Sequence, residues 1–151
     1  MNKFRSFAVI LIFGLFISIQ AHAQVHVGVY HSGIINQVGV GTDNEKKYFG
    51  ELRLDATDLI DFPFGVEGMF HRNFRRGEWV NLHAGIMLGI NDEGDGRFGI
   101  PLGLTFKPIA AHRNFAVLME ATPNVYLSPG SGDLSIRTNI GLRYTFRKEK
   151  D

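Results

Sequence analysis

Hydrophobic residues recur at every second position through much of this sequence, and this alternation restricts the possible folds more than any other feature. From Val80 to Ile90 every second residue is apolar, and the positions between hold Asn81, His83, Met87 and two glycines. Residues 98–106 and 134–146 repeat the pattern. A period of two places apolar side chains on one face of a β-strand, whereas a helix would need a period of 3.6. The sequence therefore predicts a protein built from half-buried strands.

Including less regular segments, eight strands are predicted. They cover residues 25–31, 35–41, 48–56, 64–74, 79–90, 98–106, 115–127 and 134–146. The least certain joint is residues 31–34: a tight turn there gives eight strands, and one bent strand over residues 25–41 gives seven. An even number returns both chain ends to the same side of a barrel. We therefore expect an all-β fold, a closed antiparallel up-and-down barrel with eight strands.

The N-terminal segment is predicted to be a secretory signal peptide. Lys3 and Arg5 precede an apolar stretch over residues 6–19, and Ala21-His22-Ala23 forms a small-x-small cleavage pattern before Gln24. The apolar stretch is shorter than the roughly 20 residues that a membrane-spanning helix needs. The expected organisation is a signal peptide over residues 1–23, a barrel domain over residues 24–146 and a polar tail over residues 147–151.

Composition excludes several kinds of site. The chain has no cysteine, which removes disulfides, thiolate metal ligands and thiol nucleophiles. The formal net charge is +1 without a basic stripe, so nucleic acid is not an expected partner. No cofactor or metal is predicted, because the histidines lack spacings such as His-x-x-x-His. The alternation allows His71 and His83 to face the same barrel interior, and we expect both to be structural residues with hydrogen-bond partners there. The sequence leaves open whether the acidic loop at residues 92–95 binds Ca²⁺.

The alternation does not say which face of the barrel is inside. In a membrane barrel the apolar faces meet lipid, whereas in a lipocalin-like barrel they line a cavity for a small apolar ligand. Here the apolar faces are almost free of charge, and aromatic residues gather near strand ends as in interfacial girdles. The membrane barrel is therefore the favoured interpretation, and a soluble periplasmic or secreted barrel is the alternative. The opposite faces supply a predicted structural cluster of lumen charges: Glu51, Arg53, Asp55, Glu67, Glu120, Arg137 and Arg143.

One ion pair is predicted within this cluster. Pairing Ala56 with Phe64 across the intervening loop sets Arg53 directly opposite Glu67. Cross-strand partners have Cβ atoms about 5 Å apart. We therefore expect Arg53 and Glu67 to bind each other, unless a bulge shifts the register.

The last predicted strand resembles the targeting signal of outer-membrane barrels. That signal sets a polar residue, a glycine and two aromatic residues at fixed spacing, and Asn139, Gly141, Tyr144 and Phe146 fill these positions. In the family the final aromatic residue usually ends the chain, whereas five more residues follow Phe146 here.

The chain after Ala23 also resembles small outer-membrane β-barrel proteins common in Bacteroidetes, close in size to the OmpX and OmpA types. The resemblance implies the outer membrane of a Gram-negative bacterium, contact with outer-membrane lipid, and the barrel-assembly machinery as a partner during biogenesis. Such families include adhesins, anchors, enzymes and proteins of unknown role, so it implies no single activity. We expect a structural or surface-binding role without a transport pore, since eight strands enclose an interior just wide enough for side chains. The surface partner is not identified.

No catalytic residue is predicted, and we expect that the chain is not an enzyme. His31 and Ser32 resemble the His/Ser pair of outer-membrane lipid A deacylases. Adjacent residues on a strand point to opposite faces, and the longer His-x-Ser-Asn signature of those enzymes is absent.

The signal-peptide interpretation predicts a defined N-terminus. Cleavage after Ala23 should leave Gln24, as glutamine or in its cyclised form, at the start of the protein isolated from cell envelopes. Mass spectrometry of the intact protein checks this mass. Envelope protein that retains Met1 would show the interpretation to be wrong.

Overall fold

Nine β-strands make up most of the part of the chain that the structure, a computed structural model, describes. The described residues are 24–33, 35–55, 65–91, 94–127 and 134–147, so the predicted signal peptide lies outside them. Among these residues, no helix is long and apolar enough to cross a membrane. The strands are β1 (Val25–His31), β2 (Asn36–Thr42), β3 (Tyr48–Asp55), β4 (Gly65–Arg76), β5 (Val80–Asn91), β6 (Gly96–Gly99), β7 (Leu102–Phe106), β8 (Phe115–Leu127) and β9 (Leu134–Phe146).

The strands form one closed antiparallel barrel. Each of β1 to β4 pairs with the next strand, β8 pairs with β9, and β9 pairs back with β1. Both β6 and β7 lie between β5 and β8, at different heights, so they are two halves of one barrel strand. The predicted eight-stranded up-and-down barrel is therefore confirmed.

A tight turn between β1 and β2 decides the strand count. The backbone N–H of Ser32 donates to the carbonyl of Ile35 at 3.0 Å. Gly33 has a φ of 79°, a left-handed conformation that glycine adopts without steric strain. The seven-strand alternative, with one bent strand over residues 25–41, is wrong.

A proline divides the strand that the sequence predicted over residues 98–106. Pro101 has no N–H to donate, so the regular ladder is interrupted there. The backbone next to Pro101 nevertheless forms hydrogen bonds with the strands on both sides, β5 and β8. Ile100 donates to the carbonyl of Pro123 at 3.0 Å, and Gly85 donates to the carbonyl of Pro101 at 2.9 Å. The interruption does not insert an extra residue, so side chains continue to alternate between the lumen and the exterior from β6 into β7.

The apolar faces of the strands point outward. On β5, Ile86 is 52% exposed and Leu88 is 61% exposed, while Met87 between them is fully buried. Other strands show the same alternation of buried and exposed positions. The barrel therefore has an apolar exterior.

Six of the nine exposed aromatic side chains among the described residues lie at one end of the barrel. Val25 pairs with Phe146 there, so we call it the terminus end. The guanidinium of Arg113 lies 5.4 Å from the ring centre of Trp79, and the ammonium of Lys47 lies 5.6 Å from that of Tyr48. Basic groups thus lie beside this group of aromatic residues, which we call the aromatic ring of the barrel. Its exposed members at this end are Tyr48, Phe74, Trp79, Phe106, Tyr144 and Phe146.

Candidate functional site

The interior of the barrel is polar. Among the described residues, twenty polar or charged residues are buried, against six hydrophobic ones. This composition follows from the alternation, since the face opposite the apolar one turns inward. Charged groups in such a confined space need partners, because an unpaired buried charge is strongly destabilising.

A chain of four charged side chains crosses the middle of the lumen, and we call it the central network. Arg143 on β9 donates to Glu51 on β3 at 2.5 Å. Arg53 donates to Glu51 at 3.1 Å, and its two terminal nitrogens reach Glu120 on β8 at 2.8 and 3.1 Å. All four side chains are completely buried. Positive and negative groups alternate along the network, so each charge is balanced locally.

Tyr30 completes the central network. Its hydroxyl accepts a hydrogen bond from Arg143 at 3.0 Å, and the guanidinium of Arg53 lies 3.9 Å from its ring centre. Glycines give this ring its space. A Cβ atom on Gly28 or Gly141 would overlap the ring of Tyr30.

A second group of charges lies farther from the terminus end, and we call it the Glu67 cluster. Glu67 accepts two hydrogen bonds from Arg137, at 2.6 and 2.7 Å, and lies 3.2 Å from Arg97. Gln37 donates to Glu67 at 3.0 Å and to Asp55 at 2.8 Å. The bidentate contact with Arg137 is the stronger kind of charge-assisted hydrogen bond.

The predicted ion pair between Arg53 and Glu67 is wrong, although the register behind it is right. The two residues are direct cross-strand partners. The long side chain of Arg53 instead crosses the lumen to Glu120, and Glu67 is bound by Arg137. The position of each residue on its strand determines that its side chain faces the lumen, but it does not determine which charged side chain it binds.

A third polar group closes the terminus end. Lys107 donates to Glu45 at 2.9 Å, and Arg147 lies 3.6 Å from Glu45. Asn73 donates to the carbonyls of Asn44 and Lys46 at 2.8 and 2.6 Å. The turn between β2 and β3 is thereby fixed across this opening.

The structure turns all seven predicted lumen charges inward, divided between the central network and the Glu67 cluster. Sequence reasoning missed Arg97, Lys107 and Glu45. Alternation contained a signal for the first two, because Arg97 precedes the outward Phe98 and Lys107 follows the outward Phe106. Glu45 lies in a turn, where the strand alternation does not predict which way a side chain points.

The residues of the proposed targeting signal divide between the two faces. Asn139 is buried and donates to Glu120 at 3.3 Å, and Gly141 lies against Tyr30. Tyr144 and Phe146 point outward at the terminus end.

The His/Ser pair lies beside the turn after β1. The ring of His31 is hydrogen-bonded to Asn36 at 2.7 Å, and the hydroxyl of Ser32 donates to Ile35 at 3.3 Å. The two side chains thus have local partners rather than each other.

In the described part of the chain, one group of side chains has the composition of a metal site. One potential ligand atom each from His71, His83 and Glu120 lies within 4.8 Å of the others, and all three residues are buried. The arrangement offers two imidazole nitrogens and one carboxylate oxygen.

No protein-family model, curated protein or solved structure matches this chain at a significant level.

The contacts predict which charges are coupled energetically. Glu67→Gln should destabilise the barrel by about 3–5 kcal/mol, because it leaves buried guanidinium groups without their carboxylate. In double-mutant cycles Glu67→Gln should couple more strongly to Arg137→Met than to Arg53→Met. Urea unfolding of the refolded protein measures these free energies. Equal or stronger coupling to Arg53 would contradict the contacts described.

Proposed function

We propose that this chain is an outer-membrane β-barrel protein of a Gram-negative bacterium, exported by its signal peptide, with a structural or surface-binding role and no transport pore. The observation that carries the proposal is the distribution of side chains: apolar ones outside and paired charges inside. The resemblance of the last strand to the targeting signal of outer-membrane barrels supports the same location.

The exterior suits hydrocarbon better than water. Soluble monomers rarely expose continuous apolar patches larger than a few hundred Å². Here exposed large apolar side chains occur on strands around the barrel, among them Val29, Leu52, Phe70, Leu88 and Ile140. A closed barrel also satisfies its backbone hydrogen bonds internally, which a structure in lipid requires.

The interior counts against the alternative of a soluble barrel that holds a small apolar ligand. Such a barrel needs an apolar cavity. The central network instead fills the middle of the lumen with guanidinium and carboxylate groups. No observation of the described residues favours the soluble alternative.

The same side chains support the absence of a transport pore. The central network, the Glu67 cluster and the polar group at the terminus end occupy successive heights of the lumen. Arg53, Arg143 and Phe49 are among its largest fully buried side chains. An interior that the described side chains fill in this way supports a barrel without an open pore, as expected for eight strands.

A surface-binding role would fall to the loops opposite the terminus end. The strands β1, β3, β5 and β8 end on that side of the barrel. With the terminus end in the periplasm, these loops would face the outside of the cell. An outer-membrane partner or envelope component is therefore the proposed contact.

The single tryptophan of the chain tests the membrane placement. Trp79 is 45% exposed within the aromatic ring at the terminus end. In vesicles with brominated acyl chains its fluorescence should be strongly quenched relative to vesicles without bromine. The native protein should also fractionate with outer membranes and require detergent for extraction. A water-soluble monomer with unquenched fluorescence would defeat the proposal.

A charge in the middle of the outer face should be poorly tolerated. Ile86→Arg is expected to cost roughly 2–4 kcal/mol, the range for a basic residue at the midplane of a membrane barrel. Ile109→Arg is the matched control, because Ile109 is similarly exposed but lies in the loop before β8. Unfolding free energies in lipid vesicles measure both changes. Equal tolerance of the two substitutions would argue against a lipid-facing β5.

A further inference from the structure

Two histidines and a glutamate meet in the lumen because glycines lie between them. Gly103 on β7 is the cross-strand partner of both His83 on β5 and Glu120 on β8. A Cβ atom on Gly103 would overlap the imidazole of His83. The ring can therefore lie across β7 toward Glu120. Gly85 is the partner of His71, and a Cβ there would overlap the backbone carbonyl oxygen of Phe70 and lie 3.0 Å from Nδ1 of His71.

The three side chains approach one another closely. Nε2 of His83 lies 3.9 Å from Oε2 of Glu120. The rings of His71 and His83 are perpendicular, with centres 5.0 Å apart. The 3.9 Å separation is too long for a hydrogen bond, but one potential ligand atom of each residue lies within 4.8 Å of the other two.

The imidazole nitrogens of this group lack hydrogen-bond partners among the described residues. This holds for Nδ1 and Nε2 of both His71 and His83. His71 is 0% exposed and His83 is 3% exposed. Leaving a buried polar group unsatisfied is destabilising. Ten other buried side-chain atoms of the described residues also lack a partner, but only His71 and His83 have two such atoms each. A bound ligand would explain this concentration.

Surrounding contacts hold the potential ligands in position. Phe49 stacks on His71 with ring centres 4.6 Å apart and lies edge-on to His83 at 5.4 Å. Arg53 and Asn139 both donate to Oε1 of Glu120. Such outer contacts orient the ligands of metal sites.

We propose that His71, His83 and Glu120 bind one divalent transition-metal ion, for which Zn²⁺ is the best-fitting chemistry. Zn²⁺ takes imidazole and carboxylate ligands and can keep a fourth position for water. Ca²⁺ and Mg²⁺ prefer oxygen ligands alone. Bonds of about 2.0–2.2 Å place tetrahedral ligands roughly 3.5 Å apart. The potential ligand atoms lie within 4.8 Å of one another, so binding requires them to approach by about 1 Å. The two central arginines are balanced by two carboxylates, which limits repulsion of the ion.

The test uses the full mature chain refolded in detergent, with Zn²⁺ added either during or after folding. We expect one equivalent of bound Zn²⁺ per chain by elemental analysis and calorimetry, and a higher unfolding midpoint with Zn²⁺. His83→Gln should weaken binding at least tenfold. His112→Gln is the matched control, because His112 is exposed in the loop before β8, and its binding should equal that of the unmodified protein.

Two outcomes would overturn the proposal: no stoichiometric uptake, or equal binding by His83→Gln and the unmodified protein. If His83→Gln does not fold, the proposal is tested by electron paramagnetic resonance of Cu²⁺ bound to the His112→Gln protein. Coupling to two imidazole nitrogens supports the site, and its absence overturns it. None of these readouts depends on whether the barrel resides in an outer membrane, so failure here is distinguishable from failure of the proposed location.

Discussion

The structure depends on the pairing of charges inside a closed barrel. Once the sheet closes, the inward face of each strand shares one narrow space with all the others. Glu51 and Arg53 on β3 meet Glu120 on β8 and Arg143 on β9, so the central network joins strands that are distant around the barrel. Replacing one member would leave a buried charge unpaired, which costs far more than an exposed ion pair contributes. The network thus links distant strands in one arrangement.

Glycine makes this pairing possible. An eight-stranded barrel has little room inside, yet this one holds arginine, tyrosine and histidine side chains at its centre. Gly28 and Gly141 leave the space that Tyr30 fills, and Gly103 leaves the space for His83. The high glycine content of the chain, 18 residues, is therefore in part a steric complement to large inward side chains.

The architecture could be predicted from sequence, whereas the contacts of the lumen could not. Residues 115–127 and 134–146 were predicted as strands with the bounds that the structure has, because alternation and turn residues are local signals. Arg53 shows where local signals end. Its partner Glu120 is 67 residues away in sequence, and the choice between Glu67 and Glu120 depends on how a long side chain crosses the closed lumen. The alternation of residues along a strand does not predict how that side chain crosses the lumen.

Among the described lumen residues, His71 and His83 have the most unpartnered side-chain atoms, two each. Sequence reasoning expected His71 and His83 to be hydrogen-bonded structural residues, and their ring nitrogens have no such partner in the described part of the chain. Nearby, Arg53 and Glu120 satisfy each other with two hydrogen bonds. Natural proteins tend to break such local rules at functional sites. The paired charges are therefore best explained by stability, and the imidazoles are where a ligand-binding role should first be sought.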